Sequence, residues 1–209
     1  MTKYKKNLKT IYIIIICLLI STTVFSNSKL RVEAAGKARK AKNAYSKMLN
    51  KKTIRWSEWS RYKTSKMKFA CIDVNGDKVP ELILQYDNAF GAEGQQRMYT
   101  YLNGKVKKKY ISGNCDGISE IYPSRKVFIN SGGRMGYGWK IHNVFKNGKV
   151  TVRAEQYVNI DNNKRTYKVN GKSVGKKKYN AYIKKLLKGK RAKKFVFRKN
   201  NAVNRNKYL

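Results

Sequence analysis

The chain has 209 residues, of which 49 are Lys or Arg and 11 are Asp or Glu, for a formal charge of +38. Its 41% hydrophobic residues suffice for one core of ordinary size, which excludes a wholly disordered basic tail. One histidine and three cysteines argue against a transition-metal centre, and a field of this sign attracts polyanions and repels cations.

Residues 1–34 read as an export signal. Lys3, Lys5, Lys6 and Lys9 form a positive start, and Ile11 to Ile20 form a continuous apolar run. Ser21, Thr22 and Thr23 interrupt that run before it reaches the roughly 20 apolar residues a bilayer-spanning helix needs, so a cleaved signal fits better than a retained anchor. Val32 and Ala34 stand where a signal peptidase takes small residues, which places cleavage between Ala34 and Ala35. Cys17 follows Ile16, where a lipoprotein signal wants a small residue, so lipidation is not expected. Removal of 1–34 leaves 43 basic and 10 acidic residues, +33, in one secreted or surface-associated domain spanning 35–209.

Within that domain the pattern predicts helix over 37–65, mainly β over 66–172, and a basic helix with a short strand over 173–209. Ala41, Ala44, Tyr45, Met48 and Leu49 recur at the spacing of one apolar helix stripe. Trp56, Trp59 and Tyr62 follow at three-residue steps, which predicts a second short helix laying aromatics on the core; a carbohydrate-stacking platform is the sharper and less favoured reading. From Phe69 the texture turns to short strands: 81–86, 97–102, 106–111, 118–122, 126–129, 137–145, 150–158 and 165–169. Asn103-Gly104, Asn147-Gly148 and Asn170-Gly171 each join two such runs. Asn-Gly supplies the two positive φ angles of a type I′ turn, so these are hairpin tips of an antiparallel meander. Glycine-rich 88–96 and 131–138 read as loops without a nucleotide-binding pattern. Tyr179, Tyr182, Ile183, Leu186 and Leu187 form a second helix stripe that stops at Gly189, and Phe195 to Phe197 give a last short strand. The fold class expected is α+β, an antiparallel β-meander with N-terminal and C-terminal amphipathic helices.

Two features carry chemistry. From Lys164 to Leu209 there are eighteen Lys and Arg and no acid. Lys176, Lys177, Lys184, Lys185, Lys188, Lys190, Arg191, Lys193 and Lys194 are therefore the expected contacts for an anionic polymer such as wall teichoic acid, a glycosaminoglycan or extracellular DNA; a merely solvated lysine face is the plain alternative. The second is the turn Asp73-Val74-Asn75-Gly76-Asp77-Lys78-Val79-Pro80-Glu81. Calcium takes six to eight oxygens, and Asp73, Asn75, Asp77 and Glu81 with the Val79 carbonyl alternate along this loop as such a set. Four of the 11 acids lie between Asp73 and Asp87, and a cation would relieve their repulsion. The plain alternative is a β-turn capped by Asp73 and Asn75.

Asp73-x-Asn75-Gly76-Asp77-x-x-x-Glu81 followed by Leu82-Ile83-Leu84 resembles the calcium loops of FG-GAP and VCBS repeats and, more distantly, of dockerins and EF-hands. The resemblance implies Asp73, Asn75, Asp77 and Glu81 as side-chain ligands and Val79 as a main-chain ligand. Lys78 occupies the pattern's glycine position, and Leu84 stands where an EF-hand closes with glutamate. The order of export signal, helix, Phe-x-x-Ile-Asp-x-Asn-Gly-Asp-x-x-Pro-Glu-Leu strand, Asn-Gly-Lys hairpins and basic C-terminal helix also resembles a group of secreted proteins of Gram-positive gut bacteria. That implies export and a shared domain and supplies no activity.

Catalytic readings have thinner support. His142 lies in an alternating strand and is expected to be structural rather than the base of a Cys71 or Cys115 nucleophile. Cys71 and Cys115 pairing as a disulfide is less favoured than Cys71 serving as a small buried hydrophobe. A glycan or cell-wall hydrolase would draw its carboxylate pair from Glu93, Asp116 or Glu120. The leading expectation is a non-catalytic, adhesion-type binding module with one calcium loop.

Overall fold

The structure, a computed structural model, describes residues 31–86, 95–113 and 115–209. The chain divides into two units, 1–37, of which only 31–37 are described, and 38–209. Most of the expected export signal, and with it Cys17, therefore lies outside the described residues. In the first unit 31–37 are helical, with Glu33 and Lys37 ion-paired at 2.6 Å. Among the described residues no helix is long and apolar enough to cross a membrane.

The second unit is mostly antiparallel sheet with helices, broadly α+β. Helix α1 covers 31–49, and its part from Ala38 onward belongs here. A ribbon of β1 (Thr53–Arg55) and β2 (Arg61–Lys63) follows. Strands β3 (Met67–Ile72), β4 (Glu81–Tyr86), β5 (Gln95–Leu102) and β6 (Lys105–Ile111) make a meander that β13 (Arg198–Lys199) extends beside β3. Strands β7 (Asp116–Tyr122), β8 (Val127–Arg134), β9 (Tyr137–Lys146), β10 (Lys149–Asn159), β11 (Arg165–Val169) and β12 (Lys172–Ser173) make a second meander in sequence order. Helices α2 (Lys176–Leu187) and α3 (Ala202–Tyr208) complete the unit.

The two-residue period of a strand sorts the side chains into layers. Phe69, Leu82, Leu84 and Tyr99 turn to α1 and bury Ala41, Tyr45 and Leu49. Ala70, Ile72, Ile83 and Met98 turn the other way and meet Ile118, Ile121, Phe128 and Phe145 of the six-stranded sheet. Covered on both faces, β4 reads as the near-continuous apolar run Leu82-Ile83-Leu84. On the outer face of the six-stranded sheet Val127, Ile129 and Tyr122 pack with Leu186 and Leu187 of α2. The order of layers is α1, five strands, six strands, α2.

The three Asn-Gly pairs have φ of +51° and +75°, +52° and +68°, and +48° and +77°, and they close two-residue loops between paired strands. Three other expectations need correction. Residues 53–63 are not helical: β1 and β2 pair, and Ser57 and Ser60 tie the bend between them, so Trp56 is buried while Trp59 is 93% exposed. Residues 131–138 are not a loop. Ser131 to Arg134 finish β8, Tyr137 starts β9, and Met135 and Gly136 form a fourth two-residue turn with φ of +48° and +76°. Phe195 to Phe197 are not a strand. Lys193 bridges Ile121 of β7, Phe195 and Phe197 pack into the inter-sheet core, and Arg198 and Lys199 then pair with β3, so this segment stitches the two sheets together. Helix α3, capped by the Asn201 side chain on the Asn204 N–H, was not foreseen.

Candidate functional site

The acidic turn joins β3 to β4, with α1 behind it: the Tyr45 hydroxyl donates to the Pro80 carbonyl at 3.0 Å. Its side chains answer its own backbone. Asp73 accepts the N–H groups of Gly76 at 2.6 Å and Lys78 at 2.9 Å, one on each carboxylate oxygen. Asn75 Oδ1 accepts the Asp77 N–H, and Asp77 Oδ1 accepts the Val79 N–H. Gly76, at φ +77°, has no room for a side chain, since a Cβ would stand 2.5 Å from the Pro123 carbonyl oxygen. Lys78 takes φ +67°, the conformation for which the resembling calcium loops carry glycine.

Glu81 is the buried member of this turn, with no exposed surface. Its Oε2 accepts the Val74 N–H at 2.8 Å and its Oε1 accepts the Thr100 hydroxyl at 3.1 Å. Burial pushes its carboxyl up to about 8; the Val74 hydrogen bond opposes that shift and the Asp77 charge adds to it. The Asn75 amide nitrogen stands between Asp77 Oδ2 at 3.0 Å and Glu81 Oε1 at 3.4 Å. It makes there the contacts a cation would make, in neutral form. Of the five expected ligands, the side chains of Asn75, Asp77 and Glu81 thus converge, Asp73 is spent on the loop backbone, and Val79 contributes its N–H to Asp77. Among the described residues no three His, Cys, Asp or Glu side chains form a group able to hold a metal. The donor set fits a hard cation only with the Asn75 amide turned so that its oxygen joins Asp77 and Glu81.

The nine cations expected to meet a polymer are all exposed. Lys176 to Lys185 belong to α2, and Lys193 and Lys194 to the stitching segment. That segment brings the two sequence-derived sites together: Lys193, Lys194 and Arg198 share with Asp73 and Pro80 a pocket of about 410 Å³. The pocket places cations beside the first residue of the acidic turn.

In comparisons with protein-family models, curated proteins and solved structures, nothing matches this chain.

The residues weighed for catalysis do not assemble. Glu93 lies outside the described residues. Asp116 shares the inter-sheet face of β7 with Ile118, where its Oδ2 accepts from Asn130 at 2.9 Å and from the Trp139 indole at 3.0 Å. A bulge between Ile118 and Glu120 turns Glu120 to the opposite face, with Lys140 at 2.6 Å and the Tyr122 hydroxyl as its partners. Burial raises the Glu120 carboxyl, and those two hydrogen bonds together with the Lys140 and His142 charges outweigh it, so the net shift is downward. Cys71 packs on the α1 side of the five-stranded sheet, where burial pushes its thiol up to about 11. His142 is buried on the α2 side of the six-stranded sheet against Tyr179, so both sheets separate it from Cys71. Burial and the Lys140 charge push His142 down to about 4. Cys71 is a free thiol, so no disulfide joins it to Cys115.

One charged side chain escaped the sequence reading. Arg97 of β5 is 4% exposed, its guanidinium lies 4.1 Å from the Trp56 ring centre, and its hydrogen bonds go to the Gln95 amide oxygen and the carbonyls of Arg55 and Trp56. The alternation of β5 carries the signal, because Arg97 has the parity of Tyr99 and so faces α1.

Proposed function

We propose that the chain is an exported, non-catalytic binding module drawn by charge to anionic envelope or host polymers, with the acidic turn as a structural calcium loop. The observation that carries the reading is the C-terminal surface, where all nine candidate cations are exposed and no acid occurs from Lys164 onward. The three acids from Asp73 to Glu81 are few against the eighteen cations from Lys164 onward and do little to offset this field. A calcium ion held by Asp73, Asn75, Asp77, Glu81 and the Val79 carbonyl would supply the counter-charge that Glu81 lacks, and it would lock β3 to β4 rather than activate water.

The test is a titration of a fluorescent DNA duplex and of a heparin fragment at several salt concentrations. Binding by released counterions falls steeply and linearly on a log–log salt plot, and the combined Lys184→Ala, Lys188→Ala, Lys190→Ala variant reduces the slope by roughly one unit per contact removed. Salt-insensitive binding overturns the polymer reading. Calcium is tested separately by calorimetry with the Asp73→Ala, Asp77→Ala variant as control; absence of heat up to millimolar calcium reduces the loop to a capped turn.

A further inference from the structure

Between α1, the β1–β2 ribbon and strands β5 and β6 the surface opens into a cleft of about 590 Å³. Six cationic side chains line it: Lys47 of α1, Lys51 just beyond it, Arg55 and Arg61 of the ribbon, Arg97 of β5 and Lys108 of β6. They are half of its twelve described lining residues, against 49 basic residues among 209 in the whole chain, and among the described residues no Asp or Glu lines it. A basic chain accounts for about half of this density; the rest is placement.

The placement is costly without a ligand. Like charges converge on one concavity whose floor includes Met48, Ile54 and Val106, side chains that do not screen them. A buried charge is ordinarily paired with an opposite one, yet among the described residues the acceptors around Arg97 are all neutral. The ion pairs of Glu33 with Lys37 and of Glu120 with Lys140 both lie outside the cleft. Lys108 feels the crowding, since partial burial and then the Arg97 charge lower its ammonium below the ordinary lysine value. The Trp56 ring lies 4.1 Å from the guanidinium, whose hydrogen bonds to Gln95 and to the Arg55 and Trp56 carbonyls fix it in place and leave one N–H uncommitted for an anion. Lys47, Lys51 and Lys108 are exposed at its rim, as is Arg61, whose Nε–H donates to the Thr53 hydroxyl at 3.3 Å and leaves its other N–H groups to a bound group.

We infer that this cleft binds a multiply charged oxyanion, a phosphate or sulfate group borne on a small molecule or on a polymer end, with Arg97 as its fixed anchor. The inference is independent of the polymer reading, because the cleft lies on the α1 side of the five-stranded sheet while the lysines of α2 lie beyond both sheets.

The experiment titrates inorganic tripolyphosphate, and in a second arm inorganic sulfate, into the full chain by calorimetry, with ionic strength held constant by sodium chloride. The expected result is one saturable site that the Lys47→Ala, Lys51→Ala, Arg61→Ala variant weakens at least about tenfold, since each charge-assisted contact contributes roughly that factor. The Lys184→Ala, Lys188→Ala, Lys190→Ala variant stays within about twofold of the parent, while its binding to the DNA duplex falls. Arg97→Lys keeps the charge but loses the guanidinium's fixed position against Trp56 and its remaining N–H, and weakens tripolyphosphate about tenfold. If that buried variant does not fold, the exposed triple variant decides alone. Non-saturating binding, or equal losses in both triple variants, overturns the cleft as a site.

Discussion

At the acidic turn charge is answered from within the chain: Asp73 takes the N–H groups of Gly76 and Lys78, Asp77 that of Val79, and Glu81 that of Val74. At the cationic cleft, among the described residues, Arg97 meets only neutral oxygens, and five more cations face the same space without a carboxylate. A rare charge in a sequence draws the eye, but demand for a ligand is set by what the fold leaves uncompensated. Here the abundant sign is the uncompensated one.

Breaking the floor of the cleft gives the largest effect. Trp56→Ala removes the ring against Arg97, Tyr62 and Tyr86, and destabilises by about 3–5 kcal/mol in chemical denaturation. Trp59→Ala, at the exposed tip of the same ribbon, stays within about 0.5 kcal/mol.

The turn shows itself through pH. Glu81 holds its proton to about 8 in the fold against 4.5 ordinarily, so its contribution is full below 4.5 and is lost as pH rises to 8, at about 1.4 kcal/mol per unit. His142 runs the other way: its folded value of about 4 lies below the ordinary 6.5, and stability is lost as pH falls from 6.5 to 4. The two slopes oppose one another between 4.5 and 6.5. Denaturation midpoints are expected to be flat there and to decline from 6.5 to 8; Glu81→Gln removes the alkaline decline, and calcium bound at the turn counters it.

Gly76→Ala comes next, at about 2–3 kcal/mol, because the added Cβ meets the Pro123 carbonyl at a positive φ. Arg97→Met in anion-free buffer removes a buried charge but leaves the Trp56 carbonyl without its donor, and costs about 1–3 kcal/mol by thermal melting. A loss as large as that of Trp56→Ala would make Arg97 a structural residue.

The hairpin tips were legible because Asn-Gly is chemically suited to two successive positive φ angles, and all three are realised. Met135-Gly136 makes the same turn without that signal, since methionine has no side-chain oxygen to favour the left-handed region, and so 131–138 read as a loop. The ribbon at 53–63 misled because three-residue strands are too short to show alternation, while Trp56, Trp59 and Tyr62 mimic a helix stripe. The acidic turn was legible as a curled loop, with Lys78 in its strained position, whereas the inward use of its oxygens depends on the backbone path. Arg97 was hidden by composition. One arginine among 49 basic residues carries no signal until the parity of β5 is known.

The most direct measurement is a ¹⁵N NMR titration of the arginine side chains with inorganic pyrophosphate at constant ionic strength. If the cleft is a built anion site, the Arg97 Nε–H resonance, protected by burial, shifts saturably while the backbone amides of Asp73 to Glu81 stay still. If Arg97 is unmoved and the amides of residues 176–194 drift in proportion to added anion, the charge of this protein acts only as a diffuse field.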